Sequence, residues 1–134
     1  MLYAEITRPI IGAAIDVHNA LGCGFQEVIY QRALDIEMRN HGLQVVREKE
    51  LPILYKGEQI GSRRPDFIVE GLIMVEIKAI SELTALQRAQ ALNYLRVFNF
   101  EIGLLINFGA LRLQKERVHN NELIDKNNHI RQTK

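Results

Sequence analysis

Apolar residues recur at helical spacing near the start of the chain. Ile10, Ala14, Val17 and Leu21 form a stripe with Ile11, Ile15 and His18 beside it, predicting an amphipathic helix over about 5 to 21. Gly22 and Gly24 break that helix. A second helical pattern runs from Gln26 to His41 through Ile29, Ala33, Leu34, Ile36 and Met38, with Gly42 where a C-terminal cap belongs.

The pattern then changes to strands. Leu43 to Tyr55 carries Val45, Val46, Leu51, Ile53 and Leu54 among charges, and Lys56-Gly57 supplies a turn, so a hairpin with a long first arm is expected. Pro52 argues for an edge position there. Two apolar runs follow, Asp66 to Val69 and Leu72 to Ala79, split by Glu70-Gly71 and read as a second hairpin. The later run is apolar at nearly every position, as a strand covered on both faces is. Ser81 or Thr84 can cap the next helix, Thr84 with Gln87 as a capping box, and that helix should run to about Phe98. Ile102 to Phe108 reads as another buried strand, with Leu111 to Leu113 as a short partner. Beyond Val118 the chain is Asn-rich and charged, so residues 119–134 are expected to be a polar tail, a frayed helix or disordered, appended to a single domain over 1–118. The order ααββββαββ predicts an α/β fold, a three-layer α/β/α sandwich around a central mixed β-sheet, because strands apolar on both faces need a cover on each side.

Composition adds little to this picture. The 134 residues are 47% hydrophobic and 25% charged, within the ordinary globular range. The single Cys23 excludes an internal disulfide and a four-cysteine metal site, and points to a reducing, cytoplasmic setting. Apolar runs fall far short of the ~20 residues that cross a bilayer, so no membrane partner is expected. Seventeen Lys and Arg against sixteen Asp and Glu give a net charge of +1, without a global basic field for nucleic acid. Local groups, Arg63-Arg64 and Lys115-Glu116-Arg117, can still touch phosphates, and Arg64 adjoins the stretch that carries the chemistry.

That stretch is Pro65-Asp66 followed by Glu76-Ile77-Lys78. On a strand Glu76 and Lys78 share a face and Ile77 takes the other. The direction of Asp66 depends on hairpin parity: a three-residue loop, Glu70-Gly71-Leu72, sets it opposite Glu76, whereas a two-residue loop reverses it unless a bulge intervenes. The odd loop or a bulge is expected, with Gly71 best able to take φ > 0. Two adjacent carboxylates raise each other's proton affinity unless a cation lies between them. All-oxygen ligands suit Mg²⁺ or Mn²⁺, which acidifies a bound water and polarises a phosphodiester, and Lys78 would orient that water or stabilise developing charge. The residues alone also allow an ordinary acidic/basic pair on a strand behind a Pro-Asp turn.

Pro65-Asp66, nine residues, then Glu76-Ile77-Lys78 resembles the PD-(D/E)xK nuclease motif. Gly24-Phe25-Gln26-Glu27-Val28-Ile29-Tyr30 resembles the pattern that names the GxxExxY proteins within that superfamily. Val17-His18-Asn19-Ala20-Leu21-Gly22 and Leu104-Leu105-Ile106-Asn107-Phe108-Gly109 look like the same family, extending the resemblance over residues 6 to 118. It implies a metal held by Asp66, Glu76 and the Ile77 main-chain carbonyl, a catalytic Lys78, and Glu27 projecting from the second helix toward them. Without the resemblance Glu27 is a helix-start carboxylate and Tyr30 is core. Gln87, Gln90 and Tyr94 share a helix face, and Gln90-Ala91-Leu92-Asn93-Tyr94 resembles the QxxxY element of RecB-like nucleases, where such side chains support the site or the phosphate backbone. An amphipathic helix with polar edge residues has the same pattern. His18 is assigned to packing or a helix-end contact, and Cys23 leaves no ligand set for the iron-sulfur cluster of some RecB-like relatives.

The implied activity is metal-dependent hydrolysis of DNA or RNA; separately from the resemblance, a homodimer would pool the chain's modest basic patches. The alternative is a nuclease-derived domain that binds nucleic acid or protein with little or no cleavage, which the near-neutral charge favours.

Overall fold

The computed structural model describes residues 1–132. Its elements run α1 (Ala4–Leu21), α2 (Glu27–Asn40), β1 (Val45–Arg47), β2 (Leu51–Tyr55), β3 (Glu58–Arg63), β4 (Phe67–Val69), β5 (Ile73–Lys78), α3 (Ala85–Phe98), β6 (Ile102–Asn107), β7 (Gln114–His119) and α4 (Asn121–Gln132). The chain is an α/β fold whose central mixed sheet, ordered β1-β4-β5-β6-β7, is flanked by helices. The β5–β6 pairing is parallel and the others antiparallel.

Alternation along the strands divides the sheet's residues between two covers. Phe67, Val69, Ile73, Val75, Ile77, Ile102, Leu104 and Ile106 pack with Ile10, Ala14 and Val17 of α1 and Tyr30, Leu34 and Met38 of α2. Residues of opposite parity on β5 and β6 meet α3: a methyl group added at Gly103 would lie 3.0 Å from Leu95 Cδ2. β5 and β6 therefore read as continuous apolar runs, buried at nearly every position. Thr84 opens α3 as expected, its main-chain N–H and its hydroxyl both donating to Gln87 Oε1 at 2.7 Å.

Three strand expectations are corrected. The long arm from Leu43 to Tyr55 is two strands in different sheets, because Glu48 takes φ 56° and turns the chain between them. β1 joins the central sheet beside β4, while β2 and β3 form a separate two-stranded hairpin, which leaves Pro52 on an edge. Five strands thus precede α3 instead of four. Leu111 to Leu113 is not a strand: Leu111 is exposed, and the partner of β6 is the charged segment β7. β7 also runs one residue past the expected boundary at 118.

The polar tail is helical over Asn121–Gln132, and its last two residues lie outside the described part. None of the helix is buried. Asn120 Oδ1 accepts the Leu123 N–H at 3.3 Å, and Arg131 Nη2 donates to Glu101 Oε1 at 2.9 Å. Among the described residues no helix is long and apolar enough to cross a membrane.

Candidate functional site

The β4/β5 hairpin pairs Phe67 with Val75, Ile68 with Met74 and Val69 with Ile73. Glu70, Gly71 and Leu72 form a three-residue connection in which Glu70 takes φ 54° and Gly71 φ 67°. This is the odd loop, and no bulge interrupts the pairing. One step beyond the last pair, Asp66 stands across from Glu76, with Lys78 two residues further along the same face.

Asp66 is positioned from two sides. Its Oδ2 accepts the Ile77 main-chain N–H at 2.8 Å, and its Oδ1 accepts Gln31 Nε2 at 3.0 Å. Gln31 is a buried polar residue of α2 that also donates to Glu48 Oε1 at 3.2 Å. Sequence reading misses it because it borders an apolar stripe; its signal is the four-residue step from Glu27, which places both on one helix face.

Glu76 is only 5% exposed. Burial, and then the neighbouring Asp66 charge, push its pKa up to about 8, against the opposing pull of Arg63 and Lys78. Its Oε2 accepts Arg63 Nη2 at 3.1 Å, while its buried Oε1 has no hydrogen-bond partner among the described residues. Glu27 is an exposed residue whose carboxyl end nonetheless senses the site. Partial desolvation and the Asp66 charge raise its pKa, with Lys78 and Arg63 lowering it. Glu27, Asp66, Glu76 and Lys78 thus share one electrostatic neighbourhood, although the three carboxylates do not all bring ligand atoms within 4.8 Å of one another at once.

The α3 side completes the wall. Arg63, Glu76, Lys78, Gln87, Gln90 and Tyr94 line a cavity of about 10 Å³, room for about one water. The Arg63 guanidinium lies 4.7 Å from the centre of the Tyr94 ring. Arg64, the arginine singled out by adjacency to the motif, points elsewhere: its side chain is 62% exposed and 4.0 Å from Glu50. Arg63 is the one that enters.

Tyr30 lies in the core, not on this wall. Its hydroxyl donates to the Gly22 carbonyl at 2.6 Å and accepts the Phe25 N–H at 3.2 Å, and its ring stacks on Phe108 at 4.8 Å. It clamps the α1–α2 loop that delivers Glu27. His18 makes a packing contact of the expected kind, 3.0 Å from the Ala110 carbonyl. Buried Asn107 fixes the strand end beyond Lys78. Its Oδ1 accepts the Ile80 and Gly109 amides at 3.0 Å, and its Nδ2 donates to Ile80 O and Gln114 Oε1 at 2.9 Å. Gly109 passes so close to Ile80 that an added methyl group would sit 2.3 Å from the Ile80 carbonyl oxygen.

A different group, absent from the sequence reading, can hold a divalent cation. Asp16, Glu37 and His41 bring ligand atoms within 4.8 Å of one another, with His41 Nε2 3.5 Å from Asp16 and 3.9 Å from Glu37. Glu37 and His41 are one helical turn apart, but Asp16 joins them only through the packing of α1 on α2. This group lies about 15 Å along α2 from Glu27, at 1.5 Å per residue.

A sheet strand thus presents an acid and a lysine on one face, with a second acid across the hairpin. The family model described as the PD-(D/E)XK nuclease superfamily matches residues 4–119, and the chain belongs to that superfamily. No curated protein matches the chain. A solved structure titled "Crystal structure of SSO0001" is similar over 90% of this chain and 70% of its own, with 15% identity and a TM-score of 0.46.

Proposed function

We propose that this domain is a divalent-metal-dependent nuclease that hydrolyses phosphodiester bonds of DNA or RNA, with Asp66, Glu76 and Lys78 as its reactive residues. The observation that carries the reading is the Asp66/Glu76 pair: two acids side by side, one of them buried with an unpartnered oxygen and a strongly raised proton affinity. A buried anion of that kind is costly unless protonated or matched by positive charge. A hard dication fits the donor set, and Asp66, Glu76 and the Ile77 carbonyl would hold it, with Glu27 close enough to add charge. Bound there, Mg²⁺ or Mn²⁺ would supply water activation and polarisation of a phosphodiester.

The chain's own residues supply the rest. Gln31 and the Ile77 amide hold Asp66 in one rotamer before any ligand arrives. The Lys78 ammonium, two residues beyond Glu76, would stabilise negative charge as it develops on phosphate oxygens. Gln87, Gln90 and Tyr94 would line the track of the backbone on the α3 side. Within the superfamily, the Gly24-to-Tyr30 segment supports placing the chain among the GxxExxY proteins and reading the core as their three-layer sandwich. A cytoplasmic nucleic-acid partner, with or without homodimerisation, belongs to the same proposal.

A second reading, a nuclease-derived binding domain with little cleavage, is favoured by the roughly one-water cavity beside Glu76 and the near-neutral net charge. The deciding assay incubates wild type, Lys78→Ala and Glu76→Gln with single- and double-stranded DNA and RNA in Mg²⁺ and in Mn²⁺. Cleavage by wild type that both variants lose supports the nuclease. Equal cleavage by all three marks contamination, and none by any supports the binding domain.

A further inference from the structure

The residue that closes the site is Arg63, the last residue of β3, carried by a hairpin that lies outside the central sheet. Its guanidinium meets Glu76 at one point, Nη2 to Oε2 at 3.1 Å, and lies over the Tyr94 ring. Its Nε is buried and has no hydrogen-bond partner among the described residues. Such a contact uses little of what a guanidinium offers, since its five donors form a planar fork suited to two oxygens of one anion. The side chain as a whole is still 35% exposed, so the guanidinium is not walled in on every side.

Local charge points the same way. Three carboxylates, Glu27, Asp66 and Glu76, share the site with two cations, Arg63 and Lys78. Glu48, whose carboxylate shares the Gln31 amide with Asp66, adds a fourth negative charge, so a dication would bring the site to neutrality and remove its repulsion of an approaching phosphodiester. The cavity bounded by Arg63 and Tyr94 holds about one water, so a phosphate enters it only if Arg63 yields.

We propose that Arg63 is the phosphate-binding residue of this site: a guanidinium held on Glu76 and Tyr94 in the free protein, which passes to a phosphodiester oxygen of the nucleic acid when a divalent cation takes its place at the carboxylates. The proposal rests on the nuclease reading above. Arg63 and the metal then compete for Glu76, while Arg63 and the metal cooperate in binding the substrate.

The test uses the full chain as wild type, Arg63→Ala and Arg63→Lys. Uptake of MnCl₂ is followed by calorimetry, and binding of fluorescein-labelled single-stranded and duplex DNA oligomers is followed by anisotropy in CaCl₂ over a range of KCl. Removing Arg63 should tighten Mn²⁺ uptake severalfold and weaken oligomer binding roughly tenfold or more, the scale of one charge-assisted hydrogen bond. The salt slope should become shallower by about one. Arg63→Lys should keep the slope but recover only part of the affinity, because an ammonium cannot fork, and it serves as the readout if the alanine variant does not fold. Opposite changes in metal and oligomer affinity are the signature that a merely structural arginine would not produce. Unchanged oligomer affinity and slope, or joint weakening of both ligands, overturns the proposal. If wild type takes up Mn²⁺ at Glu76 but binds no oligomer, the phosphate role fails while the metal site stands; if wild type takes up no Mn²⁺ at all, both fail.

Discussion

The carboxylate of Asp66 accepts the main-chain N–H of Ile77 at 2.8 Å, which ties the start of β4 to the residue between Glu76 and Lys78. Gln31 holds the other Asp66 oxygen from α2. Gln31→Leu should therefore lower Mn²⁺ affinity about tenfold, the usual scale for losing a residue that orients a ligand. Calorimetric titration of the variant checks this, and a melting temperature close to wild type would assign the loss to orientation, not folding.

Glu76 makes stability depend on pH with a defined sign. Its folded pKa, about 8, lies above the ordinary 4.5, so the folded state binds more protons across that window. The stabilising contribution is complete below about 4.5 and is lost as pH rises through 8. Its size is on the order of a few kcal/mol at one pKa unit per 1.36 kcal/mol. Glu76→Gln should remove this dependence, melting near wild type at pH 5 and well above it at pH 9. Thermal melts in chelator across that range test it; equal melting of the two proteins at pH 9 would contradict the buried anion.

Tyr30→Phe separates scaffold from chemistry. It removes the bonds to the Gly22 carbonyl and from the Phe25 amide, while Phe108 stacking is retained. The expected loss is about 1–2 kcal/mol in urea unfolding, with Mn²⁺ uptake preserved. A variant of normal stability that fails to take up metal would move Tyr30 into the site.

Gly109→Ala places a methyl group against the Ile80 backbone, which cannot give way as a flexible side chain could. Overpacking of this kind should cost about 3 kcal/mol and lower the melting temperature. Ala at Gly61, an exposed position within β3 where nothing lies within 4 Å, is the control.

The Asp16–Glu37–His41 group offers a second destination for metal. His41→Ala should leave Glu76-dependent Mn²⁺ uptake and nuclease activity unchanged. Uptake abolished by His41→Ala but not by Glu76→Gln would relocate the metal to the α1–α2 surface.

The hairpin that presents Asp66 and Glu76 is readable from spacing, because parity alone decides whether positions centred on Gly71 share a face. The first three helices are readable from periodicity and punctuation, and α3 also from its Thr84/Gln87 cap. What escapes is set by packing instead of pattern. The kink at Glu48 needs a non-glycine residue at positive φ, which no local signal announces. β7 is charged and half-buried, so its apolar content does not mark it. Arg63 and Arg64 are indistinguishable until the β2–β3 hairpin orients one inward, and Gln31 counts as a surface residue until Asp66 is found beside it.

Exposed β-turns ordinarily tolerate insertions and deletions, and Glu70–Leu72 has that outward character, with Gly71 and Leu72 exposed. Here the pairing on either side of the turn works as a ruler. A longer or shorter tip that keeps Val69 paired with Ile73 leaves the acids facing each other, whereas a one-residue slip of that register would turn Asp66 into the apolar layer beneath α1 and α2. Turn variants that preserve the pairing should therefore retain function, and those that shift it by one should lose it.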